Sequence, residues 1–229
     1  RICVSAGEAL PEDVARRWEA QFSVPVLNGV GSTEMLHIFL SNRSDDVRYA
    51  TSGLPVPGYA AKLVDEEGVI VSQGEIGELV VKGQSSAEGY WHQRAKTRKT
   101  FVGEWTYTGD KYYVDNAGYY CFCGRTDDMF KSGGNWVSPV DVEGVLITHP
   151  HVFEAAVVGH TDSHGNMKPK AFIVLRENID STDALAEELQ LHVKDKMELW
   201  KYPRWISFMS DLPKTATGKI QRFKLREDV

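Results

Sequence analysis

The chain has 229 residues, 42% hydrophobic and 25% charged, which suits one large or two small globular domains. A formal charge of −6 excludes the broad basic surface of a general nucleic-acid binder, while leaving room for a local cationic site facing a phosphorylated ligand. No apolar run approaches the roughly 18–20 residues of a bilayer span and no secretory pattern opens the chain, so a cytoplasmic protein with no membrane partner is expected. Cys3, Cys121 and Cys123 are odd in number and lack paired ligand clusters; they read as reduced thiols.

Residues 1–45 read as α/β. An apolar strand at 2–4 runs into Ser5-Ala6-Gly7-Glu8, and because no methionine precedes it, a piece of a longer protein is expected. Pro11 suits the first turn of a helix, where its missing N–H costs little. Val14, Trp18 and Phe22 recur every four residues and give that helix an apolar face. Another apolar run, 24–27, precedes Gly29 and Gly31.

Residues 50–124 change to short strands, clearest at 60–64, 76–82 and 119–122. Asp65-Glu66-Glu67-Gly68 and Asp115-Asn116-Ala117-Gly118 read as hairpin connections, so a small distorted β-barrel is expected. From 126 to 229 the pattern is α+β. Ser138 caps a helix with Pro139 at its first position, and Val142, Val145 and Leu146 form its inner face until His149-Pro150 ends it. Residues 153–158 and 171–175 read as buried strands around a polar turn at 161–168. Leu185, Leu189 and Val193 mark an amphipathic helix starting near Ser181. A strand at 205–209 precedes a polar, glycine-bearing tail.

Four segments invite chemistry. Val30-Gly31-Ser32-Thr33-Glu34 follows a strand of an α/β region, where ligands bind. Gly31 permits close backbone approach, Thr33 offers a hydroxyl to phosphate and Glu34 an oxygen to Mg2+; the alternative is a helix N-cap with an acidic first turn. In Tyr107-Thr108-Gly109-Asp110, an acid after a glycine turn suits both hydroxyls of a ribose, or is an ordinary turn aspartate. The stretch Gly124-Arg125-Thr126-Asp127-Asp128-Met129-Phe130-Lys131-Ser132-Gly133-Gly134 lies where a hinge would fall, or is a solvated linker. In Pro213-Lys214-Thr215-Ala216-Thr217-Gly218-Lys219-Ile220, a lysine on a loop delivers a point charge to phosphate oxygens, or belongs to a basic tail.

In this order and at these separations the four segments, with Ser5-Ala6-Gly7-Glu8, resemble the adenylate-forming superfamily of acyl-CoA ligases, luciferases and peptide-synthetase adenylation domains. The likeness covers essentially the whole chain. It implies that residues 1–125 close a large AMP-binding domain, with an α/β segment at 1–45 and the β-barrel at 50–124. Residues 126–229 would form a small mobile domain. It implies ATP, Mg2+ and coenzyme A as cofactors and co-substrates. Ser5, Gly7, Glu8, Gly31, Ser32, Thr33, Asp110 and Arg125 would contact nucleotide, with Glu34 on Mg2+ and Lys219 bridging the substrate carboxylate and α-phosphate. Asp127 would be the hinge, and Lys131, Ser132, Gly133 and Gly134 would meet coenzyme A. Two departures stand out. Val30 replaces an aromatic that stacks on adenine in many relatives, and the Ser/Thr/Gly-rich phosphate loop is absent, so the chain alone is expected to be inactive.

Gly31-Ser32-Thr33-Glu34-Met35-Leu36-His37-Ile38-Phe39-Leu40-Ser41-Asn42 resembles benzoate-CoA and close aryl-CoA ligases. Gly53-Leu54-Pro55-Val56-Pro57-Gly58-Tyr59 and Tyr90-Trp91-His92-Gln93-Arg94-Ala95-Lys96-Thr97 extend the likeness. It implies an aromatic carboxylate as substrate, with His37 and Gly31 lining its pocket and a neutral imidazole donating one hydrogen bond to the carboxylate; a satisfied core histidine is the alternative. His149 and His151 show no ligand spacing. Another acyl-acid ligase, a luciferase-like oxidase and a non-catalytic nucleotide-binding fragment remain alternatives. Oligomeric state is open, a homodimer included.

Overall fold

The computed structural model describes residues 1–216 and 218–227, and the chain divides into two compact units, Arg1–Thr126 and Asp127–Val229. The first unit opens with β1 (Cys3–Ser5), α1 (Glu12–Phe22), β2 (Val26–Gly31), β3 (Ile38–Ser41) and β4 (Leu54–Pro55). β1 and β2 pair in parallel, and β3 and β4 continue the sheet antiparallel. Pro11 is the N-cap of α1, one residue before the expected place, and Ser23 ends the helix in the left-handed region with its N–H on the Glu19 carbonyl. The apolar face of α1 is turned outward: Ala15 is buried, whereas Val14, Trp18 and Phe22 are 40–50% exposed. Periodicity finds such a face but not what lies opposite it, and β1, the parallel partner of β2, is only three residues long.

β5 (Ala60–Val64), β6 (Gly77–Lys82), α2 (Arg94–Thr100), β7 (Phe101–Val102), β8 (Trp105–Val114) and β9 (Tyr120–Arg125) complete this unit. The strands form one antiparallel sheet that curls as a half-barrel. Met35, Phe39, Leu40, Leu63, Leu79, Val81, Tyr112 and Tyr120 form a core shared by its two sheets. The two Asp-x-x-Gly turns work alike. The Asp65 carboxylate accepts from the N–H groups of Glu67 and Val69, and Asp115 from those of Ala117 and Tyr119. Gly68 and Gly118 supply the positive φ.

The second unit contains β10 (Phe130–Ser132), β11 (Asn135–Val137), α3 (Pro139–Ile147), β12 (Val152–Thr161), β13 (Met167–Leu175), α4 (Asp183–Lys194), β14 (Trp205–Met209) and α5 (Arg222–Glu227). Ser138 accepts from the Asp141 N–H and Thr182 from that of Leu185, capping α3 and α4. β12, β13 and β14 form a sheet in that order, and strand alternation divides its residues. Ala155, Val157, Ala171 and Ile173 pack with α3 and α4; Ala156, Val158, Phe172 and Val174 pack with Leu212 and with Leu225 of α5. The polar turn is shorter than expected, because the paired strands extend to Thr161 and begin again at Met167.

Candidate active site

Strand β2 ends at Gly31 and the chain turns through Ser32-Thr33-Glu34-Met35 straight back into β3. No helix follows, which removes the N-cap alternative. The Ser32 carbonyl and hydroxyl instead both accept from the Met35 N–H at 3.3 Å. A Cβ on Gly31 would lie 2.5 Å from the His37 carbonyl oxygen. The close approach that the glycine permits is therefore made by the chain itself, at a shift in the β2–β3 register. Met35 is fully buried and pins the turn, while Thr33 is exposed.

Glu34 accepts from the Tyr90 hydroxyl at 2.5 Å, and its backbone carbonyl from the Ala87 N–H at 2.8 Å. α2 supports Tyr90 from behind: Thr97 Oγ1 accepts from the Tyr90 N–H at 2.9 Å, and Lys96 Nζ stands 4.0 Å from the ring centre. Burial works to raise the Glu34 carboxyl. The Tyr90 hydroxyl, its own backbone N–H, the Ser32 hydroxyl and the Lys96 charge together outweigh it and hold the group below its ordinary range. The Tyr90 hydroxyl is pushed up, by burial and then by Glu34. One carboxylate kept ionised is the donor that a Mg2+ shared with phosphate and water takes.

His37 sits at the end of the same turn with both ring nitrogens engaged. A carbonyl only accepts, so Nδ1 donates to the Ile38 oxygen at 2.8 Å, and Nε2 shares a hydrogen bond with the Tyr59 hydroxyl at 2.8 Å. Tyr59 is in turn 2.6 Å from Ser85 Oγ, which donates to the Met35 carbonyl. The expected hydrogen bond from His37 to a substrate carboxylate has no nitrogen left to make it. What His37 presents is an imidazole ring standing at 88° to the Tyr59 ring.

Tyr107-Thr108-Gly109-Asp110 is not a turn but the interior of β8. Residues Trp105 and Thr106 pair with β7, while Asp110 to Val114 pair with β9, so Gly109 lies where the neighbouring strand changes. Gly109 has φ +72°, and a Cβ there would meet the Arg125 guanidinium at 2.9 Å. Asp110 and Arg125 are cross-strand partners, with Nη1 donating to the carboxylate at 2.9 Å and to the Thr108 carbonyl at 3.2 Å. The Arg125 charge also reaches the Tyr90 hydroxyl, which places this pair and Glu34 in one neighbourhood. Ser5 ends β1 beside Asn28 of β2, and Gly7 and Glu8 follow it exposed, with Gly7 at φ +97°.

In the second unit, Lys131 and Ser132 end β10, and Gly133 and Gly134, at φ +61° and +84°, are the two loop residues of a tight hairpin to β11. Lys131 Nζ lies 4.8 Å from the Trp136 ring centre and Ser132 is buried. Of the stretch from Gly124 to Gly134, Gly124 and Arg125 end β9 and the residues from Phe130 onward belong to this hairpin. Lys219 is exposed on a second hairpin loop: Lys214 bridges Ile220, the Thr215 N–H donates to the Lys219 carbonyl, and the Lys219 N–H to Thr215 Oγ1. Thr217, within that motif, lies outside the described residues. Asp127 is the first residue of the unit. His149 and His151 are brought together with Glu188 of α4, ligand atoms within 4.8 Å, contrary to the reading of unrelated histidines. Because His149 Nδ1 accepts from the His151 N–H, Nε2 donates its proton to Glu188 at 3.1 Å, whereas the buried Nδ1 of His151 has no hydrogen-bond partner.

Tyr59, Tyr90 and Lys96 lie in segments that carry the family likeness but are given no role in the site by it, and Ser85 is not picked out. Only closure of the sheets brings them to Glu34 and His37, from 22 to 62 residues away along the chain by their numbering.

Residues 1–91 match the AMP-binding enzyme family and residues 141–219 match the AMP-binding enzyme C-terminal domain. The chain belongs to this family, the adenylate-forming enzymes. It is 60% identical to a benzoate–CoA ligase of Thauera aromatica over 99% of its own length and 43% of that protein's. A 4-hydroxybenzoate–CoA/benzoate–CoA ligase of Rhodopseudomonas palustris is 57% identical over 99% of the chain and 42% of the relative. A crystal structure of an anthranilate–CoA ligase in complex with anthranoyl-AMP superposes with a TM-score of 0.95 at 52% identity, covering 100% of this chain and 44% of that one. The chain thus spans less than half the length of the relatives it matches.

Proposed function

We propose that the protein carrying this chain is an AMP-forming acid–thiol ligase that activates a benzoate-like carboxylate with ATP and transfers it to coenzyme A in the cytoplasm. The observation that carries this reading is the 60% identity to a benzoate–CoA ligase along 99% of the chain.

The carboxylate attacks the α-phosphorus of ATP, pyrophosphate leaves, and an acyl-adenylate forms. The thiol then attacks the acyl carbon and AMP leaves. In the first step two anions meet, so counter-charge must stand where negative charge accumulates. Lys219 supplies it between the carboxylate and the α-phosphate. Mg2+, when bound, neutralises phosphate charge. Glu34, kept ionised by Tyr90, is its protein ligand, and the exposed Thr33 hydroxyl and the Gly31-Ser32 backbone face the phosphates. The Asp110 carboxylate accepts from the ribose hydroxyls, and Arg125 holds that carboxylate in place. Ser5, Gly7 and Glu8 line the nucleotide side at the end of β1. The His37 ring walls the acyl pocket by shape. In the second step the unit that begins at Asp127 turns, Lys219 withdraws, and the Lys131–Ser132–Gly133–Gly134 hairpin meets the pantetheine arm, its two loop glycines leaving the space.

A panel of aromatic, alicyclic and aliphatic acids assayed for CoA-dependent AMP release by the full-length protein tests the reading. Benzoate and close aryl acids are expected to give the highest kcat/KM. A preference for acetate or fatty acids would overturn the substrate assignment.

A further inference from the structure

Three stretches of the second unit carry the proposed chemistry: Asp127 at its start, the β10–β11 hairpin, and the Lys219 loop. One ion network joins the elements that adjoin them. Glu143 of α3 has 8% of its side chain exposed and accepts from the Val157 N–H on β12, the terminal strand of its sheet, at 2.8 Å. Arg222, the first residue of α5, grips the same carboxylate through Nε at 3.1 Å and Nη2 at 3.0 and 2.7 Å. Its Nη1 lies 3.6 Å from the Asp128 carboxylate. Arg226, one turn further on, donates to Asp128 Oδ1 at 2.9 Å and to the Asp127 carbonyl at 3.2 Å. α3 follows β11 directly and α5 follows the Lys219 loop, so these four side chains tie together all three stretches.

A buried ion pair is a poor device for stability, because desolvation offsets most of the attraction and an apolar replacement is often as stable. What a planar guanidinium held by several bonds does supply is fixed orientation. Lys219 stands three residues before Arg222, and its loop is clamped on the other stem by Lys214, which reaches Glu154 at 2.7 Å and Asp211 at 3.0 Å.

We propose that Glu143 and Arg222 are positioning residues for the adenylation step, fixing α5 so that the Lys219 ammonium is delivered in register. This rests on the role of Lys219 proposed above. In the full-length protein Arg222→Met strands a buried carboxylate and lowers Tm. The double variant Glu143→Met/Arg222→Met removes the ion pair and recovers part of that loss, the Val157 N–H and Asp128 each having one partner fewer. Adenylation, read as ATP–pyrophosphate exchange, nevertheless stays down about 10- to 100-fold in kcat with KM for ATP little changed, the scale of a misplaced reacting group. Thioesterification from preformed acyl-adenylate falls by a smaller factor than exchange, because Lys219 takes no part in it. If the double variant does not fold, Arg222→Lys, which keeps charge but loses the multi-point grip, gives the same readout. Exchange at the parental rate in the folded variant overturns the positioning role. Lys219→Ala run alongside separates the two claims: if it spares exchange, the functional reading fails and the positioning role with it. If it abolishes exchange while the network variant does not, only the positioning role falls.

Discussion

At the scale of single residues, neighbours set the charge of the Glu34 carboxylate. Glu34 is picked out in the sequence by its place after a glycine at a strand end, but the Tyr90 hydroxyl that holds it is 56 residues away and no local pattern announces it. The carboxyl lies below its ordinary value of 4.5, so the stability it lends to the fold is complete above about pH 4.5 and is lost as pH falls through the lower folded value. Tyr90→Phe keeps the ring but removes the donor, leaving burial opposed only by the weaker partners. The Glu34 titration is therefore expected to move upward, as is the acid limb of Mg2+-dependent activity. Carboxyl chemical shifts followed by NMR across pH would show it, and an unmoved Glu34 would contradict the assignment. His37 gives the complementary lesson. Residue type suggested a hydrogen-bond donor, whereas the Ile38 carbonyl and Tyr59 already occupy both nitrogens.

At the scale of elements, what the sequence encodes locally was legible and what depends on pairing was not. The strands at Ala60–Val64 and Trp205–Met209, the Ser138 cap, and the buried triad Leu185, Leu189 and Val193 all follow from alternation, capping chemistry and helical spacing. Thr108-Gly109-Asp110 looks like a turn because Gly and Asp favour turns. In the fold it is a strand interior, since β6, β7 and β9 pair along β8 and the irregularity falls at a change of neighbour. The outward apolar face of α1 is another case, since spacing predicts a face without naming its partner. Gly31 belongs here as well, because the β2–β3 connection needs it. Gly31→Ala would drive a methyl group into the His37 carbonyl, which is backbone and cannot swing aside. A loss of about 1–3 kcal/mol on chemical denaturation is expected, the usual cost of forcing atoms into a packed site, and the KM for the acid should rise with it. Parental stability in that variant would show that the turn adjusts.

At the scale of the molecule, the division after Thr126 puts Glu34, Asp110 and Arg125 on one unit and Lys219 with the Gly133-Gly134 hairpin on the other. The change from short strands to an α+β pattern near residue 126 is visible in the sequence, whereas the ion network joining Asp128, Glu143, Arg222 and Arg226 is not, its members lying up to 98 residues apart. In the account proposed here the second unit turns at Asp127 between the two half-reactions. Asp127→Pro restricts φ there and removes a backbone donor. It is expected to slow thioesterification while leaving adenylation near the parental rate, measured as the two separate half-reactions; equal effects on both would argue against a pivot at this residue.

The most direct test is Lys219→Ala in the full-length protein, with each proposed half-reaction measured on its own. Loss of one preorganised charge from a developing anion costs about 3–4 kcal/mol, or 10²–10³ in rate. ATP–pyrophosphate exchange should fall by that factor, while coenzyme A continues to capture the acyl group from supplied acyl-adenylate at the parental rate. Equal loss of both half-reactions, or exchange that survives untouched, would contradict an ammonium that serves the first step and leaves before the second.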